Sequence, residues 1–557
     1  MSAIVIRLAS VNSAIAGPAR AFGKVAAVIA LIAAALSVPA RAQTAGAYKV
    51  TNLISDGSVT ANFTDPNFVN PWAISASGTW WISAEGKGFN YVIASTPTPG
   101  TINFKVVIPP ASGTGTGAPS GSVTTAGAAG MILPVNATKA NFLFSSLDGT
   151  ISGWNGKLGT ANAVTSIVIN NSAAGAVYTG LAIENSATAS YILAANFGAG
   201  KKIEVYDSTF APATLTGGTF TDPNLPSNYA PFSVHVLNGK VYVAYAQRTA
   251  AAPYFTVDGL GNGAVSVFNT DGSFVSRLAT GGNLNSPWGV AIAPANFGIF
   301  GGSVLIGNFG NGLINAYDAS GGGFRGQLMD GSAKPLAYST LWELLAGGTA
   351  VGNTTSVSGG DPQSVYFTAG LDLEAHGLFG VISNDTTAGT ATFGMVAANN
   401  SLSIANGATA QTTISIEPIY GFTGNVNLTC SGLPSGAACS FAPVQVASTG
   451  NTPSLYSLSI STTKNSALLN DRQSHMAGIA YACLLPFASF FVYRRRRSLM
   501  SLGVFRMILF CGMALAGLGV LAGCSSTPTT PAGTSTVTVS AAAGSTTRTT
   551  TVTLVVQ

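Results

Sequence analysis

The stretch LIGNFGNGLINAYD, residues 305–318, sets an apolar run, an Asn-Phe-Gly-Asn-Gly turn and a second apolar alternation side by side. Two readings compete for it. A phosphate-cradling loop would end in Gly-Lys-Ser/Thr and open a helix, and neither feature follows here. A β-hairpin needs Gly or Asn at the turn, flanked by residues alternating between two faces, and this pattern is present. The stretch therefore predicts two short antiparallel strands joined by a tight turn.

The same pattern recurs. It stands around Gly88 (GKGFNYVIA), Gly149 (DGTISGWN), Gly200 (NFGAGKKIEVYD), Gly263 (GNGAVSVFN), Gly312 (NFGNGLINAYD) and Gly377 (AHGLFGVIS). A second signal interleaves with it, a short apolar strand often opened by Pro and an aromatic residue. Its copies centre on Trp72, Ser120, Gly180, Phe232, Trp288 and Trp342, at steps of 48, 60, 52, 56 and 54 residues. Four short antiparallel strands with turns occupy roughly 40–50 residues, the size of one propeller blade. Six copies predict a six-bladed β-propeller over residues 43–385, with Ile203, Val205 and Phe268 facing neighbouring blades and the glycines supplying positive φ. The strand YKVTNLIS from Tyr48 is placed to pair with the last blade and cover its edge.

Charge and termini narrow the setting. Only 8% of the 557 residues are charged, against about 25% in an average soluble protein, as suits an exported, loop-rich β protein. Residues 43–463 hold 12 Lys and Arg against 18 Asp and Glu, a net of −6, which excludes a nucleic-acid partner that needs a basic face. Lys24, the apolar residues 25–38 and Ala40-Arg41-Ala42 before Gln43 read as a signal peptide, residues 1–42. In an exported chain Cys430 and Cys439 are expected to form a disulfide, whereas Cys483 and Cys511 read as small apolar residues.

The strings DPNFVNPWAI, DGTISGWN, YAPFSV, LNSPWGVAIAPANFG, LIGNFGNGLINAYD and FTAGLDLEAHGLFG together resemble an uncharacterised secreted bacterial family first catalogued beside the PEP-CTERM surface-sorting system. The resemblance spans roughly residues 48–385 and implies a six-bladed propeller, with no activity attached. Ala73, where that family has Gly, and AEGKG around Glu85, where it has an Asn-Gly turn, depart from the pattern. Lactonase and gluconolactonase propellers hold a divalent cation on oxygen ligands in the central channel. By that analogy the alternative function is a metal-dependent hydrolase using calcium, with oxygens from Asn70, Glu184, Glu343 and Glu374 and bases from His235 and His376. Structural roles compete at each position: His235 as a hydrogen-bonded wall residue, Glu374 and His376 bonded to each other across one turn, and Trp72, Phe232 and Trp288 seated between blades. Asn70, His235, Glu343, Glu374 and His376 are accordingly expected as channel binding residues, with no catalytic or metal-ligand role assigned and no cofactor required.

Beyond a linker at 386–399 the composition shifts to Ser, Thr, Ala and Gly. Residues 400–466 resemble the first part of a bacterial immunoglobulin-like module, and residues 527–557 supply its last strands, because neither piece alone reaches the roughly seven strands of a sandwich. Between them, apolar segments at 477–493 and 499–522 flank Arg494 to Arg497. They read as a transmembrane hairpin, residues 476–522, with a cytoplasmic arginine loop. LAGC at 521–524 makes Cys524 a lipidation candidate. The expected whole is an all-β protein, a six-bladed propeller followed by an immunoglobulin-like β-sandwich interrupted by that hairpin. It would be exported, anchored in the cell envelope, and would bind the membrane and an envelope protein or glycan as a binding or display module.

Overall fold

The computed structural model describes residues 46–94, 102–185, 189–348, 359–387, 389–464 and 529–557. The fold is all-β and propeller-like; its helical content among the described residues is four three-residue 3-10 turns. Six antiparallel sheets follow one another along the chain. They open with Pro71–Ala76, Pro119–Thr124, Tyr178–Asn185, Tyr229–Leu237, Pro287–Ile292 and Leu341–Ala346. These opening strands are the segments marked by the Pro-aromatic signal. Each lies against the opening strand of the next sheet, and Leu341–Ala346 lies against Pro71–Ala76.

The glycine signal marks the turn into the third strand of each sheet. In the quoted stretch, Val304–Asn308 pairs with Ile314–Tyr317 in the register Val304 to Tyr317 and Gly307 to Ile314. Gly312 has φ 71°, and a Cβ there would sit 2.0 Å from the Tyr338 carbonyl oxygen. Gly377 differs: its backbone is not left-handed, but a Cβ would lie 1.8 Å from the Phe68 carbonyl oxygen. Positive φ thus explains Gly88, Gly149 and Gly312, while the other three copies conserve space rather than dihedral freedom.

Between sheets, alternating side chains interlock. Leu193 and Ile203 of the third sheet pack on Val234, Val243 and Phe268 of the fourth, and Trp80 and Tyr91 of the first pack on Tyr366 and Phe379 of the sixth. Tyr48–Ser55 adds to the sixth sheet, antiparallel to Leu378–Asn384, as the sequence leads one to expect. Its Tyr48 ring is buried beside Phe297 and Phe300, and its hydroxyl donates to the Phe297 carbonyl at 3.1 Å.

A two-sheet sandwich follows. One sheet orders Thr392–Ala397, Thr409–Ile419, Ser454–Ser461 and Ala438–Ala442; the other orders Ser401–Ile404, Thr546–Val556, Gly533–Ala543 and Asn427–Ser431. The expected linker at 386–399 is corrected: Thr392–Ala397 is a paired strand whose Phe393, Met395 and Ala397 enter the sandwich core. Cys430 and Cys439 are joined as expected, tying an edge strand of one sheet to an edge strand of the other. Among the described residues no helix is long and apolar enough to cross a membrane. The segments expected as a signal peptide, residues 1–42, and as a membrane hairpin, residues 476–522, and the lipidation candidate Cys524 lie outside the described residues.

Deleting residues 47–55 removes a full strand from the sixth sheet and the Tyr48 ring from the core. The thermal midpoint of the truncated protein should fall by at least about 5 °C, measured by circular dichroism. An unchanged midpoint would show that this strand does not stabilise the sheet it joins.

Candidate functional site

The six opening strands begin alike. Each breaks register with its neighbour near its first residues, at Pro71/Ile74, Tyr178/Gly180, Pro231/Ser233, Pro287/Gly289 and Leu341/Leu344, and opposite Pro119 at Phe144/Ser146. Such bulges turn a strand locally and re-aim the side chain they carry. Here they bring Trp72, Phe232, Trp288 and Trp342 together instead of seating each between two sheets, which corrects the expectation for these aromatics. Trp72 stacks on Trp342 with centroids 3.4 Å apart, and Trp288 meets both edge-on at 6.3 and 5.9 Å. Two residues beyond Pro71, Pro119, Tyr178, Pro231 and Pro287 the residue is small, Ala73, Gly121, Gly180, Ser233 and Gly289, whereas two beyond Leu341 it is Glu343.

This aromatic cluster sits at the starts of the strands and divides the candidate residues into two groups. On one side Asn70, fully buried, donates from Nδ2 to Glu85 and to Glu374, at 2.9 Å each. Its Oδ1 accepts from the Trp342 indole at 2.8 Å. Burial, reinforced by the Glu85 charge, raises the Glu374 carboxyl above its usual range. A hollow of about 340 Å³ opens here beside Asp258, Asn311, Thr340 and Leu373. The expected Glu374–His376 bond does not form. His376 Nδ1 turns outward to Asp56 at 2.7 Å, away from any channel, and holds the end of the first strand. Glu85 was singled out in the sequence only as a departure in turn composition, and that departure is what supplies the second carboxylate.

On the other side of the cluster the later halves of the six strands enclose a cavity of about 640 Å³. Aliphatic side chains from Ile74, Leu181, Val234, Ile292 and Leu344 line it together with polar ones from Ser75, Ser122, Thr124, Glu184, Asn185, His235, Asn238, Thr270 and Glu343. The Ser75 and Ser122 hydroxyls bond to each other at 2.8 Å; sequence reading passed over both, since a lone Ser in a strand carries no signal. His235 Nε2 lies 3.1 Å from the Trp288 carbonyl, which can only accept, so Nε2 carries the proton. The lone pair of Nδ1 then faces Glu343 Oε1 at 3.6 Å. Burial pushes the imidazole down to about 4, the Trp288 carbonyl opposing it weakly. Burial likewise pushes the Glu343 carboxyl up to about 8, against hydrogen bonds from the Leu344 and Ile74 amides. At neutral pH the two therefore face each other as neutral acid and neutral base rather than as an ion pair.

The oxygen set that a bound calcium would need is split. Glu374, with the buried Asn70 bonded behind it, belongs to the small hollow, Glu184 and Glu343 to the large cavity, and among the described residues no three His, Cys, Asp or Glu side chains come together as metal ligands.

No model of a known protein family matches the chain. It is 30% identical over 359 residues to "Uncharacterized protein R648" of Acanthamoeba polyphaga mimivirus, covering 62% of this chain and 82% of that one. To "Uncharacterized protein L690" of the same virus it is 30% identical over 348 residues, covering 61% and 86%. Among solved structures, the PQQ-bound aldose sugar dehydrogenase from Streptomyces coelicolor aligns with 61% of this chain and 99% of its own, at 13% identity and a TM-score of 0.32, too slight a likeness to build on.

The Glu343 carboxyl makes stability depend on pH in a definite direction. Folded, it holds a proton up to about pH 8 that the unfolded chain releases near its ordinary 4.5. Its contribution is complete below pH 4.5 and is lost as pH rises to 8, at roughly 1.4 kcal/mol per unit at most. Glu343→Gln should match the parent near pH 4 and melt several degrees higher at pH 9. Parallel melting curves across that range would refute the assignment.

Proposed function

We propose a binding function for this chain, which belongs to the family of Uncharacterized protein R648 and Uncharacterized protein L690 of Acanthamoeba polyphaga mimivirus. In this reading residues 47–385 are a six-bladed β-propeller, and its large cavity takes a small molecule without converting it. Three features support the propeller: the six sheets, the succession of their opening strands back to the first, and the strings resembling the PEP-CTERM-associated family. The observation that carries the binding role is the cavity itself, lined by the later halves of six opening strands with aliphatic and polar side chains together and of a volume within the roughly 300–1,000 Å³ of small-molecule sites. The calcium-dependent hydrolase is not preferred, because its oxygens are divided between the small hollow and the large cavity.

The test uses the full-length protein. Ile292 is half-buried on the cavity wall, and Ile292→Trp should fill the space. Small aliphatic molecules found to bind the parent by ligand-observed NMR should lose binding in this variant, and lactone and ester panels should show no calcium-dependent turnover. Turnover that requires calcium and disappears in Glu343→Gln would replace the binding role with the hydrolase.

The setting proposed is the cell envelope, with an immunoglobulin-like sandwich carrying the propeller on a membrane hairpin. Support comes from the sandwich itself: Gly533–Ala543 pairs with Asn427–Ser431, and Thr546–Val556 with Ser401–Ile404. Chain from before residue 465 and after residue 528 thus shares one core, so a membrane segment between them must cross an even number of times. With Cys483, Cys511 and Cys524 replaced, single cysteines at the exposed Thr452 and Ser545 should react with a membrane-impermeant thiol reagent on intact cells, given access through any outer layer. A cysteine at Ser498 should not. Labelling at Ser498 would remove the cytoplasmic arginine loop from the proposal.

A further inference from the structure

The large cavity is chemically one-sided. Its lining contains Glu184, Glu343 and His235 as ionisable groups and neither Lys nor Arg, so an anionic ligand would find no counter-charge there. It contains no Phe, Tyr or Trp ring either, so it offers neither a stacking platform for a sugar nor an aromatic cage for a quaternary ammonium. What remains is aliphatic surface interrupted by hydroxyl, amide and carboxyl side chains.

Glu184 decides what those carboxyls are for. It stands in Tyr178–Asn185, lines the cavity and is 4% exposed. Glu343 faces His235 and accepts from the Leu344 amide, and the Ser75 and Ser122 hydroxyls share one hydrogen bond. The Glu184 side chain has no hydrogen-bond or ion-pair partner among the described residues and lines the cavity. Burial holds it above its usual range, with no compensating contact.

We infer that the cavity takes a protonated primary or secondary alkylamine, with the Glu184 carboxylate as its counter-charge and the aliphatic wall as the bed for its alkyl body. An ammonium brings N–H donors and a charge together, and charge-assisted hydrogen bonds are about twice as strong as neutral ones. An alcohol of the same length would fill the same space and leave the carboxyl without a charge to meet. A carboxylate ligand would add repulsion, and a trimethylammonium head would bring charge with no donor.

This inference rests on the cavity being a binding site, and the experiment separates the two. Full-length protein at pH 7 is titrated by calorimetry with n-hexylamine, hexan-1-ol, hexanoate and hexyltrimethylammonium, in the parent, Glu184→Gln, Glu343→Gln and Ile292→Trp. Hexylamine should bind the parent at least about tenfold tighter than hexanol, and hexanoate should not bind. Glu184→Gln should bring hexylamine down to the level of hexanol while leaving hexanol unchanged, and Ile292→Trp should abolish both. Equal affinity for amine and alcohol in the parent would overturn the ammonium while leaving the cavity as a binding site, and that comparison needs no variant. Loss of amine preference in Glu343→Gln but not in Glu184→Gln would overturn the assigned counter-charge. Absence of any binding that Ile292→Trp removes would overturn both the amine and the binding role.

Discussion

The stack of Trp72 on Trp342 is the contact on which the rest of the six-sheet region depends. These two residues stand in the first and last opening strands, 270 positions apart, and they meet at 3.4 Å. The contact is reinforced at both ends: the Trp342 indole donates to Asn70 ahead of the first strand, and the Thr368 hydroxyl of the sixth sheet donates to the Trp72 carbonyl. A large flat ring buried on another contributes through area and through geometry. Here it also joins two sheets between which the chain runs only by way of the other four. The register breaks that aim the rings and the small residues beside them are conditions for that meeting. A Cβ at Gly289, for example, would sit 2.4 Å from the Trp342 carbonyl oxygen.

Polar residues that precede an aromatic and those that follow it serve separate spaces. Asn70 sits two residues before Trp72 and joins Glu85 and Glu374; Glu343 sits one residue after Trp342 and faces His235. The first group is solvated at its rim and fully hydrogen-bonded around the Asn70 amide. The second is set in aliphatic surroundings, which is why its acid stays protonated and its base stays neutral. In that second group His235 Nε2 also lies 3.1 Å from the buried Ser233 hydroxyl, which itself donates to the Trp288 carbonyl.

Much of this architecture is legible in the residues. Trp72, Phe232, Trp288 and Trp342 mark four opening strands, and six glycine turns mark six third strands, because hairpin chemistry is local and repeats. The N-terminal strand and the shared sandwich were also inferable, since an unpaired apolar strand needs a partner and there were few candidates. The convergence of the tryptophans was not, because it depends on bulges whose register involves the neighbouring strand. His376 shows the same limit: its partner Asp56 lies 320 positions away, while the nearby Glu374 was the residue that spacing suggested. The strand at 392–397 was missed because TFGMVA lies in a Thr- and Gly-rich segment that composition alone assigns to a linker.

The sandwich is bound to the six-sheet region through a strand edge. Phe324–Gln327 is the outer strand of the fifth sheet, where unpaired backbone groups would otherwise face solvent. Thr409–Ile419 covers it: the Gln327 amide donates to Glu417 at 2.8 Å, and Ser415 donates to the Arg325 carbonyl at 2.6 Å. Val396 and Ile419 pack into the apolar cluster of Leu278, Phe324 and Met329 beside it. Burial raises the Glu417 carboxyl well above its ordinary range, against a hydrogen bond from the Gln327 amide, and its second oxygen has no partner. An unsatisfied buried polar atom costs about 1–3 kcal/mol, and the apolar contact around it has to exceed that for the junction to hold. The two parts are therefore joined by a packed, hydrogen-bonded junction rather than by a bare linker.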